Sequence, residues 1–470
     1  MTVHQLRRSD GRILWGGEAW LFVATLGGLV ILNVPMLGLD AWAFRTGPVH
    51  AGGLFSSLVS AAHGRWDLGL LRSIAVLVGV LVACLVAVVL VSGRLRLRWA
   101  VICAAVVIVA LVLPAVALQA GLRQSTAPWF YTNDSTYQIE IAGKLLQQGS
   151  NPYGHDYGSS GLERFYSLDG TTKPQTERQQ VALHHFAYFP GTALVAAAWG
   201  VLPRPLSDFR FLVALCTLAL FPAALLFPGR LGPRLALGAL LAANPLIIHA
   251  AWFGTADALS LLLVVCAFGL ASRSRFSSAA ALIGGAVLLK QFALVAVPFL
   301  FAMLLLEAEW RRLKAPAISF AAVVLAGLVP FLAADPHAFW TDTVTYGTGT
   351  YRIIGYGLAS LLLRAHVIGS RTGYYPFIPL ALFVWLPVTV WLLWLQRRSR
   401  SPWTGAVGFS LSVFLLLFIA RVFQTSYLVW PLVGGVLALL LSGAEGAQEP
   451  SRQVAETAKK ASLPTEQTSV

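Results

Sequence analysis

The feature that most constrains this chain is a succession of apolar runs, each close to the length needed to cross about 30 Å of hydrocarbon. They cover residues 19–39, 68–92, 99–120, 186–202, 209–228, 235–252, 257–272, 277–289, 291–306, 315–334, 376–395, 403–420 and 425–442. Inside a bilayer the backbone N–H and C=O groups have no water to bond, so such segments must satisfy themselves as helices. The alternating pattern of a membrane β-barrel is absent. Hydrophobic residues make up 57% of the 470-residue chain, charged residues 11%, and the mean hydropathy is +0.72. A soluble domain carries about a quarter charged residues, so there are too few polar side chains here to coat a water-soluble globule. The expected fold class is all-α: a polytopic transmembrane helix bundle of about 11–13 helices, with outward loops containing short amphipathic helices.

A net charge of +14 would suggest nucleic acid in a soluble protein. Here the basic residues cluster in short turns between apolar runs, at Arg7/Arg8/Arg12, Arg94/Arg96/Arg98, Arg273/Arg275, Arg311/Arg312/Lys314 and Arg397/Arg398/Arg400. That pattern fits the positive-inside rule and anionic membrane lipids, and no nucleic-acid partner is expected. It puts the amino terminus in the cytoplasm and residues 121–185 outside. The first apolar run is long and lacks a small-residue cleavage site, so it reads as a membrane helix and not as a removable signal. The four cysteines all lie inside apolar runs and read as small hydrophobes. If every run crossed fully, Arg273/Arg275 and the Arg230/Arg234 turn would face outward. Making run 186–202 re-entrant or only partly inserted removes that conflict.

The chain divides into N-terminal transmembrane helices (1–120), an outward catalytic loop (121–185), a transmembrane core (186–442) with a second outward loop (335–375), and a polar cytoplasmic tail (443–470) expected to be disordered. The first outward loop holds six acidic and five basic residues, nearly neutral in a strongly basic chain. Within it, 135–148 has helical periodicity, with Tyr137, Ile141 and Leu145 on one face beside Ala142 and Leu146. This predicts an amphipathic helix lying at the membrane surface, with Asp134 at its N-cap and Gly149 and Pro152 ending it. Asp134 reads either as a plain cap or as a carboxylate kept ionised by the helix dipole, able to take a proton from a hydroxyl.

Other residues stand out against the apolar background. His184-His185 leads into Phe186-Ala187-Tyr188-Phe189-Pro190-Gly191, readable as an interfacial aromatic belt. Two adjacent histidines cannot face one way on a helix, so no metal pair is expected there. Asn244-Pro245 breaks one run, and Asp257 opens the next, either as a cap or as a functional carboxylate at the membrane edge. Lys290, beside Gln291 between two short runs, is costly unless paired or facing water, and a phosphate contact is its natural use. The second outward loop offers Asp335, His337, Asp342, Tyr346, Tyr351, Arg352 and Tyr356. Arg352 there is either a solvated loop charge or a phosphate clamp. Arg421, followed by Gln424 and Tyr427, lies outward against the basic trend, a reason to suspect an anionic ligand.

In order, these motifs are Asp134 with Tyr137, Gly149 and Asn151-Pro152-Tyr153, Tyr188-Phe189-Pro190-Gly191, Asn244-Pro245 with Gly254 and Asp257, Lys290-Gln291, and Arg421 with Tyr427. Over about residues 125–435 the series resembles the GT-C superfamily of polytopic glycosyltransferases. Within it, the bacterial polyprenyl-phosphate-mannose-dependent mannosyltransferases look most similar. The resemblance implies an inverting hexosyltransferase of a bacterial plasma membrane. It would take a sugar, mannose by this likeness, from a polyprenyl-phosphate donor and pass it to a glycan or glycolipid acceptor. It implies no cofactor and no metal site, Asp134 as general base, and Lys290, Arg352 and Arg421 on the carrier phosphate. Tyr137, Asn151, Tyr153, His185, Asp257, Gln291 and Tyr427 complete the expected substrate site. One departure is that three apolar runs precede the loop where family members have one, which makes Asp40 a rival base. The competing reading is a secondary transporter using Asp257 and Lys290 at a midplane site.

Overall fold

The computed structural model describes residues 13–14, 17–33, 77, 95–124, 134–162, 181–307, 313–350 and 352–443. The apolar run 68–92 apart from residue 77, Asp40, the basic groups at Arg7/Arg8/Arg12 and Arg311/Arg312, Tyr351 and the tail lie outside them. Within them the chain is helical, as the apolar runs require: α1 (Gly17–Asn33), α2 (Leu97–Gln124), α3 (Asp134–Gln147), α4 (Pro190–Trp199), α5 (Phe209–Ala223), α6 (Leu231–Ala243), α7 (Pro245–Phe253), α8 (Asp257–Ala271), α9 (Phe276–Leu289), α10 (Ala296–Glu307), α11 (Lys314–Ala334), α12 (Pro336–Trp340), α13 (Leu358–Arg364), α14 (Phe377–Ser399), α15 (Pro402–Ile419) and α16 (429–443). Two-residue strands make two small pairings. β1 (Ile13–Leu14) runs antiparallel to β2 (Leu95–Arg96), and β3 (Ile354–Gly355) runs parallel to β4 (Val422–Phe423). Gly355 sits at φ +91°, and a Cβ there would lie 1.8 Å from the Phe423 carbonyl oxygen, so only glycine permits the second pairing.

Among the described residues, five helices are long and apolar enough to cross a membrane, and α6 with α7, bent by 42°, makes a sixth. The bend is local chemistry. Asn244 caps α7 by accepting from the Ile247 N–H at 2.9 Å, and Pro245 opens the new helix. Further apolar helices of 10–17 residues, α8 and α9 among them, pack between the longer ones. Side chains such as Phe268, Ile283, Phe299, Phe409 and Trp430 are fully buried there. On the outside the apolar groups reverse direction. Ile318 is 68% exposed on α11 and Phe383 is 80% exposed on α14, which is tolerable only where lipid is the solvent.

Tracing the helices assigns every described basic turn to one end of the bundle. α2 starts at Arg96 and Arg98 and finishes at Arg123; α5 runs the opposite way, from Asp208 beside Arg123 toward Arg230 and Arg234. The α8–α9 hairpin turns at Arg273/Arg275, and the Arg273 guanidinium bonds the Leu225 carbonyl at 3.0 Å, next to that same turn. Lys314 and Arg397/Arg398/Arg400 follow by alternation. The conflict in the sequence disappears because α4, at 10 residues, is about 15 Å long and cannot cross. The chain enters it beside Lys290 and leaves it toward Asp208, both at the end opposite the basic turns.

α3 corrects the surface-helix expectation. It begins at Asp134 and Gly149 ends it at φ +76°, as the sequence indicates. Its buried residues are Thr136, Gln138, Ile139, Ala142, Gly143 and Leu145, with Tyr137, Ile141 and Leu146 half-buried against the core, so the helix is packed into the protein over more than its expected apolar face. Gly143 is the reason: a Cβ there would lie 2.7 Å from the Ala197 backbone nitrogen, so α4 packs directly on the α3 backbone. Polar α3 residues point inward because they have partners. The Thr136 hydroxyl donates to the Gly254 carbonyl at 2.7 Å and the Gln138 amide to the His185 carbonyl at 2.8 Å.

Buried charge locks this assembly. Arg123 is fully buried and its guanidinium forks onto Glu140 of α3, with Nη1 2.9 Å from Oε1, and lies 3.1 Å from Asp208. Arg210 grips Asp208 through Nε (3.0 Å) and Nη2 (2.7 Å). Burial alone would raise the Asp208 carboxyl, but Arg210 and Arg123 hold it well below the usual carboxylate range. A carboxyl held low stabilises fully above about pH 4 and loses that contribution only as pH falls toward the lowered value. Replacing Arg123 with Met leaves Glu140 and Asp208 facing each other without their shared cation. The expected cost is about 3–5 kcal/mol, seen as a large drop in thermal unfolding temperature in detergent; an unchanged melt would refute the role.

Candidate functional site

At the end of the bundle away from the basic turns, the helix breaks converge. α8 starts there with Asp257 and α9 returns there to Lys290, so the antiparallel hairpin brings the two residues face to face. Lys290 Nζ lies 3.7 Å from Asp257 Oδ1, and both side chains are buried. Trp430 of α16 donates its indole N–H to the same Oδ1 at 2.8 Å. Asp257 is therefore not a helix cap: the N-cap position is Ala256, and no side chain caps it. The remaining neighbours of the ammonium are ring faces, with Tyr188 at 5.0 Å, Phe292 at 5.3 Å and Tyr427 at 6.0 Å from Nζ to ring centroid.

Tyr188 connects this cage to α3. Its hydroxyl bonds the Ser135 side chain, and Asp134 and Asp257 both act on it electrostatically. Burial, reinforced by the two carboxylates, pushes its phenol well above the ordinary range, so it stays a neutral hydrogen-bonding group. The Asp134 carboxylate, half-buried at the helix start, accepts from the Ser135 N–H at 2.8 Å. Gln291, next to Lys290, donates to the Ala187 carbonyl and so holds the 184–189 segment against the cage.

A second hub supports the same segment. Asp342 is buried in a wide π-helical turn (Thr341–Thr350) and accepts three donors: Gly154 N–H at 2.9 Å, Phe186 N–H at 3.2 Å, and His185 Nδ1 at 2.7 Å. The His185 ring also packs against Tyr346 in a tilted arrangement, 4.7 Å between centroids. Asn151 makes a turn by accepting from Tyr153 N–H. Tyr153 is buried against Phe186, Phe331 and Phe339, with its hydroxyl donating to the Tyr188 carbonyl at 2.8 Å. Tyr137 donates to the Ser160 carbonyl.

The structure thus brings Asp134, Asp257 and Lys290 to Tyr188, with Tyr427 against Lys290 and Gln291 on the adjoining Ala187 carbonyl; Tyr153 holds the Tyr188 carbonyl, while His185, Asn151 and Tyr137 brace the neighbouring segments. Arg421 is elsewhere in its contacts. It is buried beside the β3–β4 pairing, and Nη2 donates to the Gly373 carbonyl at 3.1 Å, pinning the second loop. Arg352 is half-buried in that same loop. Sequence reasoning missed Trp430, Phe292, Asp208 and Arg210, which look like ordinary aromatics and helix-start charges until their partners are seen. Among the described residues no three His, Cys, Asp or Glu side chains converge as a metal site would require.

A polytopic membrane bundle with an ion pair and carboxylate-bearing helix gathered at one end defines a membrane protein with a polar site at its boundary. The profile of Glycosyltransferase family 87 matches residues 186–444, more than half of the sequence, and the chain belongs to that family. This bears out the expectation of a polytopic membrane glycosyltransferase. α3 with Asp134 precedes the matched region. No curated protein matches the chain. Among solved structures it is similar to ArnT from Cupriavidus metallidurans bound to undecaprenyl phosphate, at 17% identity and a TM-score of 0.43 over 77% of this chain and 66% of that one. The chain thus spans slightly less than two thirds of that protein's length.

The Asp342 hub yields a direct test. Asp342→Ala removes the acceptor of three donors and strands the buried Phe186 N–H at about 1–3 kcal/mol, with smaller losses at the part-buried Gly154 and His185 bonds. The variant is expected to melt several degrees lower and to be cut faster by protease within 150–162; wild-type melting and proteolysis would refute the hub.

Proposed function

We propose that the chain transfers a sugar from a polyprenyl-phosphate carrier to an acceptor hydroxyl on a glycan or glycolipid at the outer face of a bacterial plasma membrane. Mannose is the sugar suggested by the branch the motifs resemble. The amino terminus and the basic turns face the cytoplasm, which puts the Lys290 end outside. One observation carries the reading: Tyr188 bonds the residue next to Asp134 on one side and faces the Lys290 ammonium at 5.0 Å on the other. A general base and a buried cation thus flank a single aromatic ring at the membrane boundary.

In this reading Asp134 takes the acceptor's hydroxyl proton as that oxygen attacks the anomeric carbon. The bond from the anomeric carbon to the phosphate oxygen breaks, and the polyprenyl phosphate leaves with the bonding pair. Lys290 stabilises the charge on that phosphate. A single displacement inverts the anomeric centre. Arg352 and Arg421 add positive potential at the same end, and Asp257, Gln291 and Tyr427 surround the phosphate position. Tyr137, Asn151, Tyr153 and His185 keep the α3 and 184–189 walls in register.

Supplying radiolabelled polyprenyl-phosphate mannose to membranes with and without the protein tests the reading. Labelled product is expected only with the protein. Asp134→Asn is expected to lower transfer by about 10²–10⁴ with expression intact; retained transfer would remove Asp134 from the role. No labelled product with any acceptor tried would remove the donor assignment.

A further inference from the structure

The proposed reaction sets Asp257 beside the phosphate position but gives its negative charge no task. A carboxylate 3.7 Å behind the phosphate-binding ammonium works against anion binding. It cannot be dismissed as a helix cap, because it caps nothing. Nor is it free to swing away. It is buried, and the indole N–H of the fully buried Trp430 holds its Oδ1 at 2.8 Å.

Lys290 is held differently. At 3.7 Å the contact is an ion pair but is longer than a charge-assisted hydrogen bond of about 2.7–2.9 Å. Its other close neighbours are aromatic faces, which attract an ammonium without fixing its direction. Its backbone is extended (φ −153°, ψ 125°) at the break between α9 and the 3-10 turn Gln291–Val295. The carboxylate is pinned and the ammonium is not. The ammonium can lean onto an incoming phosphate while the carboxylate stays behind it as a fixed negative charge.

That fixed charge does not act equally on donor and product. A sugar–phosphate–polyprenyl diester carries one negative charge. The released polyprenyl phosphate is a monoester with about −1.5 to −2 at pH 7. Repulsion from Asp257 therefore weighs more heavily on the product. Resting on the proposed reaction, we propose that Asp257, as a fixed negative charge behind Lys290, expels the polyprenyl-phosphate product and sets the site's preference for phosphodiester over phosphomonoester.

The test uses the full chain in lipid nanodiscs and measures donor KM, kcat, and inhibition by polyprenyl phosphate and by its methyl ester, a diester. In the wild-type protein the monoester is expected to inhibit no more tightly than the methyl ester despite its greater charge. A wild-type preference for the monoester of tenfold or more would overturn the proposal without any variant. Asp257→Asn keeps an oxygen for Trp430 and removes only the charge. It is expected to tighten monoester inhibition about tenfold, to move donor KM far less, and to lower kcat as release becomes slow; Asp257→Glu should restore the wild-type pattern. Equal shifts for donor and product, or unchanged or weaker monoester binding, would overturn it. Lys290→Gln separates the two layers of argument. If it leaves both phosphates' binding unchanged, the phosphate role of Lys290 in the proposed reaction fails. If it weakens both while Asp257→Asn shows no diester–monoester difference, only the release role fails.

Discussion

The cluster of Arg123, Glu140, Asp208 and Arg210 is the interaction on which the site end depends. Charges inside an apolar bundle are tolerable only when paired, and here two cations and two carboxylates come from three elements: the end of α2, the middle of α3 and the start of α5. Satisfying them forces those elements together. α3 cannot drift as a loose surface helix, because Glu140 also accepts the first N–H of α5 from Phe209. With α3 fixed, its first residue, Asp134, is fixed as well.

Helix length does the rest. α8 and α9 have 15 and 14 residues, so their ends at Asp257 and Lys290 fall within the protein's boundary region and not out in solvent. Broken helices expose backbone groups, and in a membrane these need partners from the protein. Thr136 on the Gly254 carbonyl and Gln291 on the Ala187 carbonyl are such partners. The same breaks that make the bundle irregular therefore bring the polar residues of the site together. Asp342 repeats the logic for the loop layer, where one buried carboxylate collects donors from the 151–154 turn and the 184–186 segment.

Much of this was legible in the sequence, and the reason is that the signals are local. Apolar run lengths predict helices, Asn244-Pro245 predicts a bend, and a Lys between two apolar runs marks a site wherever it ends up. Asp134 with Gly149 brackets a real helix. The apolar residues expected on one face, Tyr137, Ile141, Leu145, Ala142 and Leu146, do pack on the core, but the buried face is wider than they are. Thr136 and Gln138 point inward since their partners, at residues 254 and 185, are far away in the chain.

What the sequence determined by itself is the solvent and the helices: lipid, an all-α chain, which segments break, and which charges are anomalous. What only the tertiary structure decided is which anomalies meet. Lys290 pairs with Asp257 because a hairpin of matched length returns to its own starting level. Arg421, equally anomalous in sequence, turns to the backbone of residues 371–373 instead. Both are arginine or lysine side chains beside apolar runs, and local pattern cannot tell them apart. Their partners are set by helix packing over long chain separations, information that no single window of sequence contains.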